Sequence, residues 1–242
     1  FVLEAVSFGF YKTPVTVTIS ADDAICGVDH FTYAYGVQIG ASSVNAGRDD
    51  TVIPKNDIIY DGKSATATFE IPAQFRGKVS FMAVDTAGNS ADFHDTKVIV
   101  VDTIAPGVTV SYDNNNASNG NYYNAPRTAT ITIDEANYFA EDQDDGYLVV
   151  TVGKRYNNET DYTETVVKPE FAKSADGGDI YTAEITFDED ADYTFDITYT
   201  DRSGNVYDSY ERDEFTIDMT APVMSIAYDN NDADAENPEY YN

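Results

Sequence analysis

The chain is short of the residues that many functions require. Among its 242 residues there is one cysteine, Cys26, so no disulfide can form within it. Cys26 itself reads as a small buried apolar side chain. There is no Trp and there are two His, and 14 Lys and Arg stand against 43 Asp and Glu, for a net charge of −29. A phosphate backbone is held by clustered Lys and Arg, so this balance argues against nucleic acid as a partner. It argues equally against an anionic membrane surface. No apolar run approaches the ~18 residues that span a bilayer, so no membrane insertion is expected. Gly-x-Ser-x-Gly and phosphate-loop patterns are absent. The expectation is a protein that is not an enzyme and has no organic cofactor.

What is present is repetition. Asp102-Thr103-Ile104-Ala105-Pro106 leads into Val108-Thr109-Val110-Ser111-Tyr112-Asp113-Asn114-Asn115, and 116 residues later Asp218-Met219-Thr220-Ala221-Pro222 leads into a similar run. Asp85-Thr86-Ala87-Gly88-Asn89 and Asp201-Arg202-Ser203-Gly204-Asn205 share that spacing. Two short motifs with one offset mark a tandem array. The units are 1–102, 103–218 and a partial third, 219–242. The start at Phe1 and the broken third unit read as a fragment of a longer protein.

Within each unit the pattern alternates with period two. Val15-Thr16-Val17-Thr18-Ile19 and Ala129-Thr130-Ile131-Thr132-Ile133 are clear cases. Thr, Val, Ile, Tyr and Phe suit a pleated, half-buried surface. Asp61-Gly62 and Asp145-Gly146 tolerate the positive φ of tight turns. Ala191-Asp192-Tyr193-Thr194-Phe195 fits the tyrosine corner before a penultimate strand, with Phe195 in a core position. The fold class is therefore all-β: two tandem immunoglobulin-like antiparallel β-sandwiches plus a partial third repeat. Asp85, Gly88, Asn89, Asp201, Gly204 and Asn205 are read as structural turn residues, the acid accepting from turn amides and Gly taking the left-handed position. The segment Ala221–Tyr228 is expected to pack beside the second unit or to add as a strand to a neighbouring sheet edge.

The Asp-x-x-Ala-Pro joint, the Tyr-Asp-Asn-Asn run after it, Tyr122-Tyr123-Asn124 and the closing Asp-x-x-Gly-Asn turn together resemble bacterial immunoglobulin-like (Big-type) repeats. The resemblance implies an extracellular, cell-surface or secreted bacterial location. It also implies a non-catalytic role as spacer or adhesion stalk, with neighbouring repeats of the same chain as the main partners. Two alternatives stay open. A glycan- or host-protein-binding module would use the paired tyrosines Tyr122, Tyr123, Tyr240 and Tyr241, or the poorly repeated stretch 35–59. Calcium could rigidify the joints, collected by Asp85, Asp102, Asp113, Asn114 and Asn115, although Asp-Asn-Asn is also ordinary turn chemistry.

Overall fold

The computed structural model describes residues 9–36, 50–156, 159–175 and 177–227. The first unit contains strands β1 (Gly9–Tyr11), β2 (Val15–Asp22), β3 (Val28–Tyr35), β4 (Thr51–Val52) and β5 (Ile58–Asp61). It continues with β6 (Ser64–Ile71), β7 (Phe75–Gly77), β8 (Val79–Asp85), β9 (His94–Asp95) and β10 (Ile99–Val101). The second contains β11 (Gly107–Tyr112), β12 (Tyr122–Tyr123), β13 (Arg127–Asp134), β14 (Leu148–Arg155) and β15 (Thr163–Val167). It closes with β16 (Ala172–Lys173), β17 (Ile180–Phe187), β18 (Ala191–Thr200), β19 (Val206–Tyr207) and β20 (Asp213–Ile217). Among the described residues, helix is limited to 3-10 turns at Lys55–Asp57 and Ala140–Asp142.

In the second unit one sheet runs β11-β13-β17-β16 and the facing sheet runs β12-β20-β18-β14-β15. Strand β12 lies parallel to the last strand β20, while the other pairings in both sheets are antiparallel. This is the two-sheet order of an immunoglobulin-like sandwich. The first unit repeats it: β1 is parallel to β10, β2-β6-β5 forms one sheet, and β4-β3-β8-β9 and β1-β10-β7 share the other face.

Period-two alternation decides which face each side chain takes. Ala129, Ile131 and Ile133 of β13 are fully buried, with the Thr residues between them half-buried. One core spans Val108 to Ile217, built around Phe187, Phe195, Tyr199 and Phe215. The other spans Ile19 to Val101, built around Phe31, Ile71, Val79 and Phe81. The two cores share no residue.

Tyr193 is buried and its hydroxyl donates to the carbonyl of Glu189 at 3.2 Å, forming the tyrosine corner, while Phe195 lies in the core. In the first unit the place of Tyr193 falls on Gly77, opposite Ile99 as Tyr193 is opposite Phe215, so there is no hydroxyl to form a corner, and Val79 takes the place of Phe195.

Two expectations are corrected. Cys26 is exposed, because it sits in a turn where Asp23 Oδ1 accepts from the amides of Ile25, Cys26 and Gly27. Residues 221–227 neither pack on the second unit nor pair as a strand: Val223, Met224 and Ile226 are 97%, 92% and 75% exposed. The equivalent β11 is held by β13 of its own unit, and the tail has no such strand among the described residues. Tyr228 lies outside the described residues.

Phe195→Ala should lower the unfolding free energy of the second unit by about 3–5 kcal/mol. Tyr193→Phe should lower it by about 1 kcal/mol through the lost corner bond. Because the cores are separate, urea titration should show the first unit's transition unmoved by either change.

Candidate functional site at the joint between the sandwiches

The link between the units is short: β10 ends at Val101 and β11 begins at Gly107. Asp102 opens it. Its amide donates to Tyr11 O (2.9 Å), and its Oδ1 accepts from the Ile104 amide (3.0 Å), which turns the chain toward the second unit. Pro106 then fixes φ just before β11.

Strand direction brings two more acids to this place. β13 runs toward the joint and ends there, so Glu135 follows its last residue. The turn after β18 returns at the same pole and carries Asp201. Oxygens of Asp102, Glu135 and Asp201 lie within 4.8 Å of one another. All three residues are buried, at 3%, 4% and 1% exposure.

Asparagines supply most of the donors. Asn137 Nδ2 donates to Asp102 Oδ2 (2.7 Å), and the Asn137 amide donates to Glu135 Oε1 (2.6 Å). Asn205 donates from its amide to Asp201 Oδ1 (2.8 Å) and from Nδ2 to Asp201 Oδ2 (2.7 Å). The same Nδ2 reaches across the joint to Asp102 O (2.8 Å). Gly204 makes this turn feasible at φ +88°, where an L side chain would be strained. The matching turn in the first unit has Gly88 at the same φ, with Asn89 bonded to Asp85 at 2.7 Å through both its amide and Nδ2.

Around this centre the units interlock. Arg76 Nη1 donates to Asn137 Oδ1 (3.3 Å), and Lys12 Nζ donates to Gly204 O (3.0 Å). Phe139 receives the guanidinium of Arg76 at 5.7 Å, that of Arg202 at 4.5 Å, and the edge of Phe10 at 5.9 Å. Arg202 is fixed by Asp142 (2.8 Å) and Asp145 (3.2 Å), and the fully buried Asp142 also accepts from Tyr199 OH (2.7 Å). Two acids of the run 141–146, Asp142 and Asp145, are thus paired with Arg202.

Of the residues expected at the joint, only Asp102 is there. Asp85 lies at the opposite pole of the first unit beside Asp23 and Cys26, because β8 runs away from the joint. Asp113, Asn114 and Asn115 lie at the far end of β11. There Asp113 Oδ1 accepts from the Thr128 amide (2.7 Å), Asn114 O accepts from Arg127 Nε (2.9 Å), and Asn115 Nδ2 donates to Tyr112 O (2.9 Å). They enclose Arg127, whose guanidinium stacks 3.6 Å over Tyr112. The sequence pattern does not single out Glu135 or Asn137, and it marks Asp201 and Asn205 only as turn residues. The signal available was the acid–x–Asn pattern closing β13 and the Asn closing each Gly-Asn turn. Of the tyrosine pairs, Tyr123 is buried while Tyr122 is 56% exposed; Tyr240 and Tyr241 lie outside the described residues.

Among the described residues no Lys or Arg pairs with Asp102, Glu135 or Asp201. Buried charges without a counter-charge are costly. Burial, and then the charges of Asp102 and Asp201, push the Glu135 carboxyl up to about 8, against the opposing Asn137 amide bond. A proton is thus one way the cluster lowers its charge. A hard divalent cation would be another, since the donors are all oxygen and calcium favours carboxylates. A cleft of about 350 Å³ borders Asp102 and Glu135 and leaves them approachable.

Folding takes up a proton at Glu135 between its ordinary value of 4.5 and about 8. Without metal, stability should therefore fall as pH rises through that window and level off above it. Millimolar calcium should raise the melting temperature more at the alkaline end, where no proton must be displaced. Glu135→Gln should flatten both dependences. Thermal melts in EDTA and in calcium across this range check all three statements.

No family model and no curated protein matches the chain. Solved structures similar to it include the dimeric latent PorU of Porphyromonas gingivalis, at 13% identity and TM-score 0.33 over 88% of this chain. The chain spans 22% of that PorU chain. Chicken CNTN1 FN1-FN3 domains are 12% identical with TM-score 0.31, over 89% of this chain and 65% of theirs. The amphioxus IgVJ-C2 molecule is 12% identical with TM-score 0.32, over 88% of this chain and 99% of its own. The immunoglobulin-like topology rests on the strand order, not on these overlaps.

Proposed function

We propose that the chain is a non-catalytic array of immunoglobulin-like modules that serves as a spacer or adhesion stalk in a bacterial cell-surface or secreted protein. The observation that carries this reading is the joint. Asp102 directly follows the first unit's last strand, yet its side chain and carbonyl are bonded by Asn137 and Asn205 of the second. A linker tied down in this way transmits orientation from one module to the next, which a flexible Gly/Ser linker does not. The two modules are the partners in this reading, and calcium at the acidic cluster would stiffen the coupling.

Two further features favour a structural role over catalysis. Desolvation and the charges of Asp23 and Asp85 push the Cys26 thiol up, which weakens it as a nucleophile. The most perturbed carboxyl, Glu135, is 4% exposed and accepts from the Asn137 amide within its own turn. No helix among the described residues is long and apolar enough to cross a membrane.

Spin labels at Glu70→Cys and Glu184→Cys, in a Cys26→Ser background, test the reading by pulsed electron resonance. The parent protein should give one narrow inter-unit distance. Asn137→Ala with Asn205→Ala should broaden it, because each change leaves a buried carboxylate short of a donor at about 1–3 kcal/mol. A broad distribution in the parent would refute a rigid joint.

A further inference from the structure

The two sheets of the second unit differ in width. Strand β16 pairs with β17 only at Thr182 and Tyr181, near the joint, whereas β15 pairs with β14 as far as Lys154, near the opposite pole. Beyond β16, among the described residues, the facing sheet has no strand across from the inner face of β15.

Alternation marks that inner face. Val150 lies in the core and Val152 packs against it; their partners on β15 are Val167 and Thr165. Lys154 and Thr163 follow on the same face. An inward row that is apolar near the joint thus turns polar toward the far pole. A cleft of about 270 Å³ opens over it, lined by the half-buried Val152 and Val167 and by the exposed Thr163 and Thr165. Among the described residues neither threonine hydroxyl has a hydrogen-bond partner.

Tyr156 and Glu159 close the far end of the cleft. The Tyr156 hydroxyl donates to Glu189 Oε2 (2.9 Å), and its amide donates to Glu159 Oε2 (2.9 Å). Lys154 Nζ pairs with the same Glu189 oxygen (2.5 Å) and lies 4.7 Å from the centre of the Tyr156 ring. The ring is held by its hydroxyl, its backbone and a cation, yet the residue is 47% exposed. A tyrosine fixed in this way offers contact area at little cost in side-chain entropy.

The lining selects a class of ligand. Two valines and an aromatic ring beside unengaged hydroxyls and a carboxylate suit a molecule with an apolar face and a hydroxyl rim. Anions are disfavoured, because Glu189 already neutralises Lys154, and Glu159 and the net charge of −29 repel them. A bare cation would leave the valines and the threonine hydroxyls unused. The volume is small for a ligand cleft, which suits a short sugar rather than a folded partner.

We propose that this cleft binds a neutral saccharide, with one sugar ring against Tyr156 and Val152 and its hydroxyls bonded to Thr163 Oγ1, Thr165 Oγ1 and the Glu159 carboxylate. The array then carries an adhesive site on its flank, at a place that neither the tyrosine pairs nor the stretch 35–59 supplies. The inference goes beyond the spacer reading and does not depend on the rigid joint.

Two-dimensional NMR of the whole isotope-labelled chain, titrated with glucose, galactose, mannose, N-acetylglucosamine, cellobiose and chitobiose to tens of millimolar, tests the proposal. At least one sugar should shift the amides of residues 152–156 and 163–167 and leave those of the first unit unmoved. Thr163→Val with Thr165→Val keeps side-chain shape and strand preference. It should leave the melting temperature unchanged and weaken binding about tenfold. Thr165→Lys, which fills the cleft from its exposed edge, should abolish binding. Absence of shifts with every sugar overturns the proposal, as do shifts that both variants leave intact. Tighter binding of glucuronate than of glucose overturns the neutral ligand. An extended valine- and threonine-rich peptide that shifts the β15 amides where no sugar does makes this an edge for strand addition and overturns it too. No sugar binding together with a narrow inter-unit spin-label distance removes this inference and leaves the rigid joint standing.

Discussion

A carboxylate taken out of water needs donors, and at Asp102 those donors come from the link and from the second module. The Ile104 amide holds one oxygen and shapes the link, while Asn137 holds the other from the second sandwich. Asn205 takes the carbonyl of the same residue. If the modules separated, the carboxylate would keep its local turn and lose its long-range partner. The angle between the sandwiches is therefore tied to satisfying one buried residue, and the aromatic and cationic contacts around Phe139 are arranged about it.

The acidity of the chain has two distinct consequences. Most of it is solvated at the surface. A small part is buried and shapes the interior. Arg202 neutralises Asp142, and Arg127 stacks on Tyr112 inside the loop formed by Asp113, Asn114 and Asn115. Among the described residues the cluster of Asp102, Glu135 and Asp201 has no such cation, and burial beside two carboxylates favours a proton on Glu135.

Local features were legible before the fold was known, because they depend on a few neighbouring residues. Alternation in β2 and β13, the Gly-Asn turns, the tyrosine corner at Tyr193 and the short Pro-containing link are all settled within a strand or a turn. The pole at which each acid emerges was not legible. It depends on whether a strand runs toward the joint or away from it, which puts Asp201 at the centre and its repeat equivalent Asp85 at the far end. Asp113, Asn114 and Asn115 follow the joint closely in sequence, but an extended β11 carries them away from it.

The sequence by itself determined that this is an all-β tandem array, since periodicity and a recurring offset are properties of the chain alone. Tertiary structure decided what meets at the joint. Glu135, Asn137 and Asn205 become partners of Asp102 only when antiparallel strands return to one pole. The tail shows the same division from the other side: residues 221–227 carry the pattern of a strand, and among the described residues none pairs with them.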